Sequence, residues 1–303
     1  MFSRAIVLKV AALPPVRRLI TQGRLFRKLV DRFVAGETLQ DALRVAQQLQ
    51  AKGLKVSIDY LGESVRDRQT AQAVVEEYLR AIPQLAEAGL DTQVSVKLTQ
   101  LGLDIEQEYC LRNLECIVRR AQEVGGFVRI DMEGSAYTQR TLDIFAALHE
   151  RYPNLGVVIQ AYLYRSDEDV ERLIRCRASV RLCKGAYAEP ASIAYPKRSQ
   201  VNAAYRRLMQ RLLLDGYAPA LATHDESIIR DAIAFVRSHQ IPPQRFEFEM
   251  LYGIRRDLQE RLVSQGYQMR VYVPYGEAWY PYFTRRLAER PANLLFFLRH
   301  LLR

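Results

Sequence analysis

Short runs rich in β-branched residues recur along the chain, separated by stretches whose apolar positions follow helical spacing. Eight runs read as strands: residues 56–61 (VSIDYL), 94–98 (VSVKL), 128–132 (VRIDM), 157–163 (VVIQAYL), 180–183 (VRLC), 218–223 (APALAT), 246–251 (FEFEML) and 270–273 (RVYV). Between them, Leu39, Ala42, Leu43, Ala46 and Leu49 keep the i, i+3, i+4, i+7 rule, and Leu208, Leu212 and Leu213 form a similar stripe. Thr38 with Asp41, and Ser166 with Asp169, are spaced as helix-starting capping boxes with Asp in place of Glu. Gly53, Gly89, Gly216 and Gly266 follow helical segments, where a terminating residue has to tolerate positive φ. Eight strands alternating with helices predict parallel βαβ units, and eight is the number that closes into a barrel. An open doubly wound sheet is the alternative. It usually carries a glycine-rich phosphate turn after its first strand, whereas this first run continues as LGESVRDR without GxGxxG. The predicted organisation is a basic helical arm over residues 1–35 and an α/β barrel of (β/α)8 type over residues 36–303.

In such a barrel, chemistry collects at the C-terminal ends of the strands. Those ends carry Glu63, Lys97, Asp131 with Glu133, Gln160, Arg181 with Lys184, Thr223-His224-Asp225, Glu249 and Tyr272. Alternation sharpens the pattern, because Lys97 lies opposite Val94, Val96 and Leu98, and Arg129, Asp131 and Glu133 lie opposite Val128, Ile130 and Met132. A charge turned into a barrel needs a partner, and Lys97 beside Asp131 would make one. Packing alone does not ask for polar groups at nearly every strand end.

Several stretches admit two readings. The turn in RLCKGAY (residues 181–187) is either a plain left-handed turn or a place where backbone N–H groups approach a phosphate or a flat ring, with Lys184 supplying a cation. Thr223, His224 and Asp225 either cap a helix or meet phosphate oxygens at its N-terminus. Arg285 and Glu289, four apart, form a surface pair, or adjacent Arg285 and Arg286 clamp a carboxylate. Trp279, in the tyrosine-rich stretch VYVPYGEAWYPYF, lines a pocket or packs in the core. The four histidines are scattered, and neither a metal motif, a GxSxG elbow, a P-loop nor a nucleic-acid module occurs.

Composition adds limits. The chain has 303 residues, 49% hydrophobic and 26% charged, enough to bury a large core without metal or disulfide staples. No run of 18 apolar residues exists, and the N-terminal MFSRAIVLKVAALPP, broken by Lys9 and ended by Pro14 and Pro15, reads as an amphipathic helix rather than a signal peptide. Four cysteines without CxxC spacing fit a reducing compartment, so a cytoplasmic location is expected. The net charge is +10, of which residues 1–35 carry +7 and residues 285–303 carry +4, leaving −1 for the 249 residues between. The basicity belongs to the ends, which argues against nucleic acid as a partner of the barrel. The N-terminal excess is either a solvated helix face or an arm that meets the anionic inner face of the cytoplasmic membrane.

From about residue 30 onward the chain resembles the monofunctional bacterial proline dehydrogenases, an FAD-dependent family. The resemblance rests on GESV, SVKLTQLG, VRIDMEGS, VIQAYLYRS, VRLCKGAY, ATHD, FEFEMLYGIR and VYVPYGEAWYPYFTRRLAERPAN, in that order. It implies a distorted (β/α)8 TIM-like barrel with additional N-terminal helices, and oxidation of L-proline to Δ1-pyrroline-5-carboxylate. By the same resemblance, Arg285 and Arg286 would pair with the proline carboxylate, helped by Lys97 and held by Glu289, with Tyr272 and Leu251 over the ring. Arg181 would sit near the flavin N5 and Gln160 at the isoalloxazine edge, with Met132 beside the flavin and Asp131 in the hydrogen-bond network. Lys184, Gly185, Ala186, Thr223 and His224 would hold the ribityl and pyrophosphate part of FAD. Cys183 stands where the family usually has an apolar residue, and would act through its backbone. The resemblance further implies electron delivery to a quinone and hand-off of the product to a separate pyrroline-5-carboxylate dehydrogenase. Two other classes remain at this point: a lyase or aldolase using Lys97 as a Schiff base, and a non-catalytic binding protein.

Overall fold

A computed structural model describes residues 30–289. Eight parallel strands close into a barrel in sequence order: β1 (Lys55–Tyr60), β2 (Gln93–Val96), β3 (Phe127–Ile130), β4 (Leu155–Gln160), β5 (Ser179–Cys183), β6 (Tyr217–Ala222), β7 (Glu247–Leu251) and β8 (Met269–Tyr275). Helix α1 (Leu39–Gln50) precedes β1 and packs on β1 and β8. Then α2 (Arg68–Glu87), α3 (Gln107–Glu123), α4 (Ser135–His149), α5 (Ser166–Arg175), α6 (Arg198–Asp215), α7 (Glu226–Ser238), α8 (Arg256–Ser264) and α9 (Trp279–Glu289) each follow a strand. The predicted fold class stands: an α/β barrel of TIM type. Its distortion is local, a register shift where β5 meets β6 between Ser179 and Arg181. The helical arm predicted for residues 1–35 falls almost wholly outside the described residues. Of its last residues, Val30, Phe33 and Val34 pack with Leu61, Ile254, Tyr282 and Phe283 in a small second cluster beside α9.

Strand alternation divides the barrel into two environments. Ile58, Val94, Val96, Val128, Ile130, Val157, Val180 and Leu182 belong to one continuous apolar cluster with the surrounding helices. The opposite positions on β1, β2, β3, β5, β7 and β8 carry polar side chains that bond across the barrel, with small or apolar residues facing them from β4 and β6. Arg181 on β5 reaches Glu249 on β7, Asp131 on β3 and Ser95 on β2. Arg129 on β3 crosses β4 to donate to the Ser179 carbonyl and hydroxyl on β5, and Gly156 on β4 leaves the room, since a Cβ there would strike the guanidinium. Arg270 on β8 pairs with Glu247 on β7 at 2.8 Å. The interior therefore sets the cations Lys97, Arg129, Arg181 and Arg270 against the anions Asp59, Asp131, Glu247 and Glu249, which satisfies the rule that buried charges be paired.

Local expectations fare unevenly. Thr38 and Asp41 form the predicted capping box at the start of α1. Ser166 and Asp169 do not: Arg165 is the N-cap of α5, the Ser166 hydroxyl donates to the Gln160 carbonyl, and Asp169 is taken by Arg165 at 2.7 Å. Gly53, Gly89 and Gly266 have positive φ as expected, but Gly216 is extended at φ −72°. Its smallness serves a different end, because a Cβ there would press on the Leu212 carbonyl at 2.5 Å. β4 starts at Leu155 and stops at Gln160, so Tyr162 and Leu163 belong to a turn that bridges to Ala194 instead of to the strand.

Candidate active site

The C-terminal strand ends open into a cavity of about 500 Å³. The site residues anticipated from sequence line it, except Glu133, which turns to Thr99, and Glu289, whose side chain lies outside the described residues. Trp279 does not; it packs against Phe283, with its indole nitrogen donating to Glu37 at 3.2 Å.

The floor is an ionic network. Lys97 follows the last residue of β2, and its ammonium donates to Asp59 Oδ1 at 2.8 Å, Asp131 Oδ2 at 3.0 Å and the Tyr272 hydroxyl at 3.0 Å. Tyr272 in turn donates to Asp131 Oδ2 at 2.6 Å. Arg181 holds the other side of Asp131 at 2.8 Å, is fixed by Glu249 at 2.6 Å, and lies over the Tyr272 ring at 5.4 Å from its centroid. Burial works against every one of these charges, and the partners decide the outcome. Lys97 is held well above its ordinary value, because Asp59, Tyr272 and Asp131 outweigh its desolvation. Asp131 stays below the usual carboxylate range, since Lys97 and Arg181 outweigh its burial. Asp59 goes the other way: burial pushes its carboxyl up to about 6 in spite of Lys97. Burial and Asp131 together hold the Tyr272 phenol protonated far above its ordinary range.

A second wall comes from the ends of β4 to β6. Gln160 donates to the Glu133 carbonyl at 2.8 Å, which orients its amide. Glu133 itself accepts from the Thr99 backbone and hydroxyl, so it ties the loop after β2 instead of facing the cavity. Beyond β5 the chain turns at Gly185 with φ +112°, where a Cβ would collide with the Tyr162 ring. Lys184 is held by Asn202 at 2.7 Å and Asp225 at 2.8 Å. Asp225 also caps α7, and its carboxyl lies at about 2 because hydrogen bonds from Lys184 and Ser227 overcome its burial. His224 accepts the Leu251 backbone N–H at Nε2, 2.9 Å, which places the ring proton on Nδ1. Burial pushes the Cys183 thiol up to about 12, so it faces the cavity as a neutral group.

The third wall is α9. Arg285 makes a two-pronged ion pair with Glu63, at 2.9 and 2.7 Å, joining the last helix to the loop after β1. Arg286 lies beside it, with its guanidinium over the Tyr282 ring at 5.3 Å. Polar contributors to which the sequence assigns no role include Asp59, Tyr187 and Arg198. Asp59 could have been found by the alternation that picked out Lys97, since VSIDYL sets Ser57 and Asp59 against Val56 and Ile58. Among the described residues, no group of His, Cys, Asp and Glu side chains is placed to hold a metal ion, and no helix is long and apolar enough to cross a membrane.

A family model for proline dehydrogenase matches residues 42–299. The chain is 43% identical over 272 residues to Proline dehydrogenase 1 of Bacillus subtilis subsp. natto, covering 90% of each sequence. It is 40% identical over 305 residues to the proline dehydrogenase of Deinococcus radiodurans, covering 99% of this chain and 98% of that one. Among solved structures, it superposes on proline utilization A (PutA) from Bdellovibrio bacteriovorus inactivated by N-propargylglycine, with a TM-score of 0.84 at 26% identity. That likeness covers 94% of this chain and 36% of the PutA chain, so this protein spans about a third of the longer one.

Proposed function

The chain belongs to the proline dehydrogenase family, an oxidoreductase family of proline catabolism, and on that premise we propose that it oxidises L-proline to Δ1-pyrroline-5-carboxylate with FAD as its cofactor. The observation that carries this reading is the pairing of two unlike walls across one cavity. One wall bears Lys97, Arg285 and Arg286 with the Tyr272 ring, suited to a small ring with a carboxylate. The other bears the Gly185 turn, Lys184, His224 and Arg198 near the starts of α6 and α7, suited to pyrophosphate and ribityl oxygens. Gly185 fits that use on its own geometry, because a Cβ there would collide with the Tyr162 ring and the positive φ favours glycine.

In this reading Arg285, Arg286 and Lys97 hold the proline carboxylate, while Tyr272 and Leu251 cover the ring. That fixes the far end of the ring Cδ, as near-attack geometry requires. Gln160 and Met132 would hold the isoalloxazine, and Arg181 would place a fixed positive charge near it. Asp131, shared by Lys97, Arg181 and Tyr272, keeps those groups in register. Lys184, Gly185, Ala186, Thr223, His224 and the backbone of Cys183 hold the rest of FAD. FAD held there would supply the acceptor for the hydride that Cδ loses as the ring nitrogen gives up its proton and the C=N bond forms. Delivery of the electrons to a quinone at a membrane surface, and transfer of the product to a separate dehydrogenase, rest on the family resemblance. The lyase alternative loses ground, because a Schiff-base lysine has to be neutral and three partners hold Lys97 as a cation.

The purified protein should be yellow, with flavin bands that L-proline bleaches. Arg286→Ala should raise KM for proline at least tenfold while leaving flavin content unchanged, an effect of about 1.4 kcal/mol on binding. A colourless protein that FAD does not reconstitute would overturn the cofactor. Lost flavin with intact proline affinity would overturn the role of Arg286.

A further inference from the structure

Lys97 has three N–H donors, and all three are committed, to Asp59, Asp131 and Tyr272. If Lys97 binds the proline carboxylate, as proposed above, one of those bonds must be exchanged for it. Asp131 and Tyr272 line the cavity; Asp59 lies below, fully buried. The exchange therefore falls on the cavity side. Asp131 can give up its share, since it keeps Arg181 at 2.8 Å and Tyr272 at 2.6 Å. Asp59 has less reserve. Lys97 is the cation paired with it, at 2.8 Å, and the other group that acts on its carboxyl, the Tyr272 hydroxyl, gives its proton to Asp131. Parting Asp59 from Lys97 would leave a carboxylate buried without a counter-ion. Its backbone is also held on both sides, in register with Ser95 on β2 and Pro274 on β8.

We propose that Asp59 is a positioning residue for substrate: it anchors the Lys97 ammonium from beneath, so that Lys97 trades a cavity-side bond for the proline carboxylate without leaving its place. This rests on the carboxylate clamp of the preceding subsection. Asp59 touches neither substrate nor cofactor and acts only through Lys97. Its loss should weaken proline binding and leave turnover of bound proline nearly intact.

The test uses flavin-loaded enzyme and compares Asp59→Asn, Lys97→Met and the double variant, recording flavin content, kcat and KM for proline. The expected result for Asp59→Asn is a KM raised about tenfold, kcat within about threefold, and unchanged flavin content, the pattern of lost uniform binding. The double variant should show the KM of Lys97→Met and no more, because an anchor without its lysine has nothing to hold. An unchanged KM in Asp59→Asn, a fall in kcat alone, or a double variant with KM well above that of Lys97→Met would each overturn the proposal. If Lys97→Met itself leaves KM unchanged, it is the clamp that fails. Should Asp59→Asn not fold, the double variant, which removes both buried charges together, still decides. A KM equal to that of Lys97→Met supports the anchor, and a higher one refutes it.

Discussion

Asp225 does two things with one carboxylate: it caps α7 through Ser227 and neutralises Lys184 at the cavity edge. Its folded value of about 2 lies below the ordinary value of about 3.9 expected in the unfolded chain. A carboxyl lowered in this way contributes stability that is fully present above about pH 4 and fades as the pH falls toward 2. Asp225→Asn should therefore remove part of the slope of Tm against pH in that interval while changing the slope little near neutrality, as thermal unfolding at a series of pH values would record. At this scale the sequence was informative where strand alternation applied. Lys97, Asp131 and Arg181 stood out because each is a charge among β-branched neighbours. The Glu63–Arg285 pair was not legible, since its members lie 222 residues apart and nothing in local pattern says which loops meet at a barrel mouth.

The elements were read well for a reason that also explains the errors. Parallel strands covered by helices give short apolar runs whose limits are set by burial, so all eight were found. Burial does not stop where a strand stops, however. Tyr162 and Leu163 are as buried as a strand residue yet lie in a turn, and the run VVIQAYL was read through them. The failed box at α5 is similar: the spacing of Ser166 and Asp169 is right, but Gln160 and Arg165 compete for both side chains and win. The turn after β5 is the element where one atom matters most. Gly185→Ala has to move either the turn or the Tyr162 ring, at φ +112°. The expected outcome is a folded barrel, by far-UV circular dichroism, that retains far less flavin after purification.

Across the whole molecule, stability and chemistry occupy opposite faces of the same strands. The outer face feeds one continuous apolar cluster, and the inner face is a balanced set of charges that ends at the cavity. Substitutions on the outer face should thus leave proline binding untouched. Ile58→Ala on β1, fully buried toward the helices, should cost about 3 kcal/mol in denaturant unfolding and leave KM for proline unchanged. Its neighbour Asp59 is half of a buried ion pair, so Asp59→Asn should raise KM and lower stability as well. The net charge of +10 also changes meaning at this scale. The barrel interior is neutral in sum, Arg285 and Arg286 face the cavity, and the whole net excess falls on residues 1–29 and 290–303, outside the described part.

The barrel is closed by its first and last strands, with β1 and β8 paired along six residues, and the mouth is latched by Glu63 to Arg285 on the last described helix. A growing polypeptide leaves the ribosome N-terminus first. Lys97, Asp131 and Arg181 emerge early, without β8 and α9 to complete the wall around them. Until Tyr272 and the two arginines arrive, those charges lack part of the wall that encloses them in the finished barrel. For this protein the site is complete only once β8 and α9 have been made, and a chain cut before β8 would leave β1 and β7 each without the partner it has in the barrel.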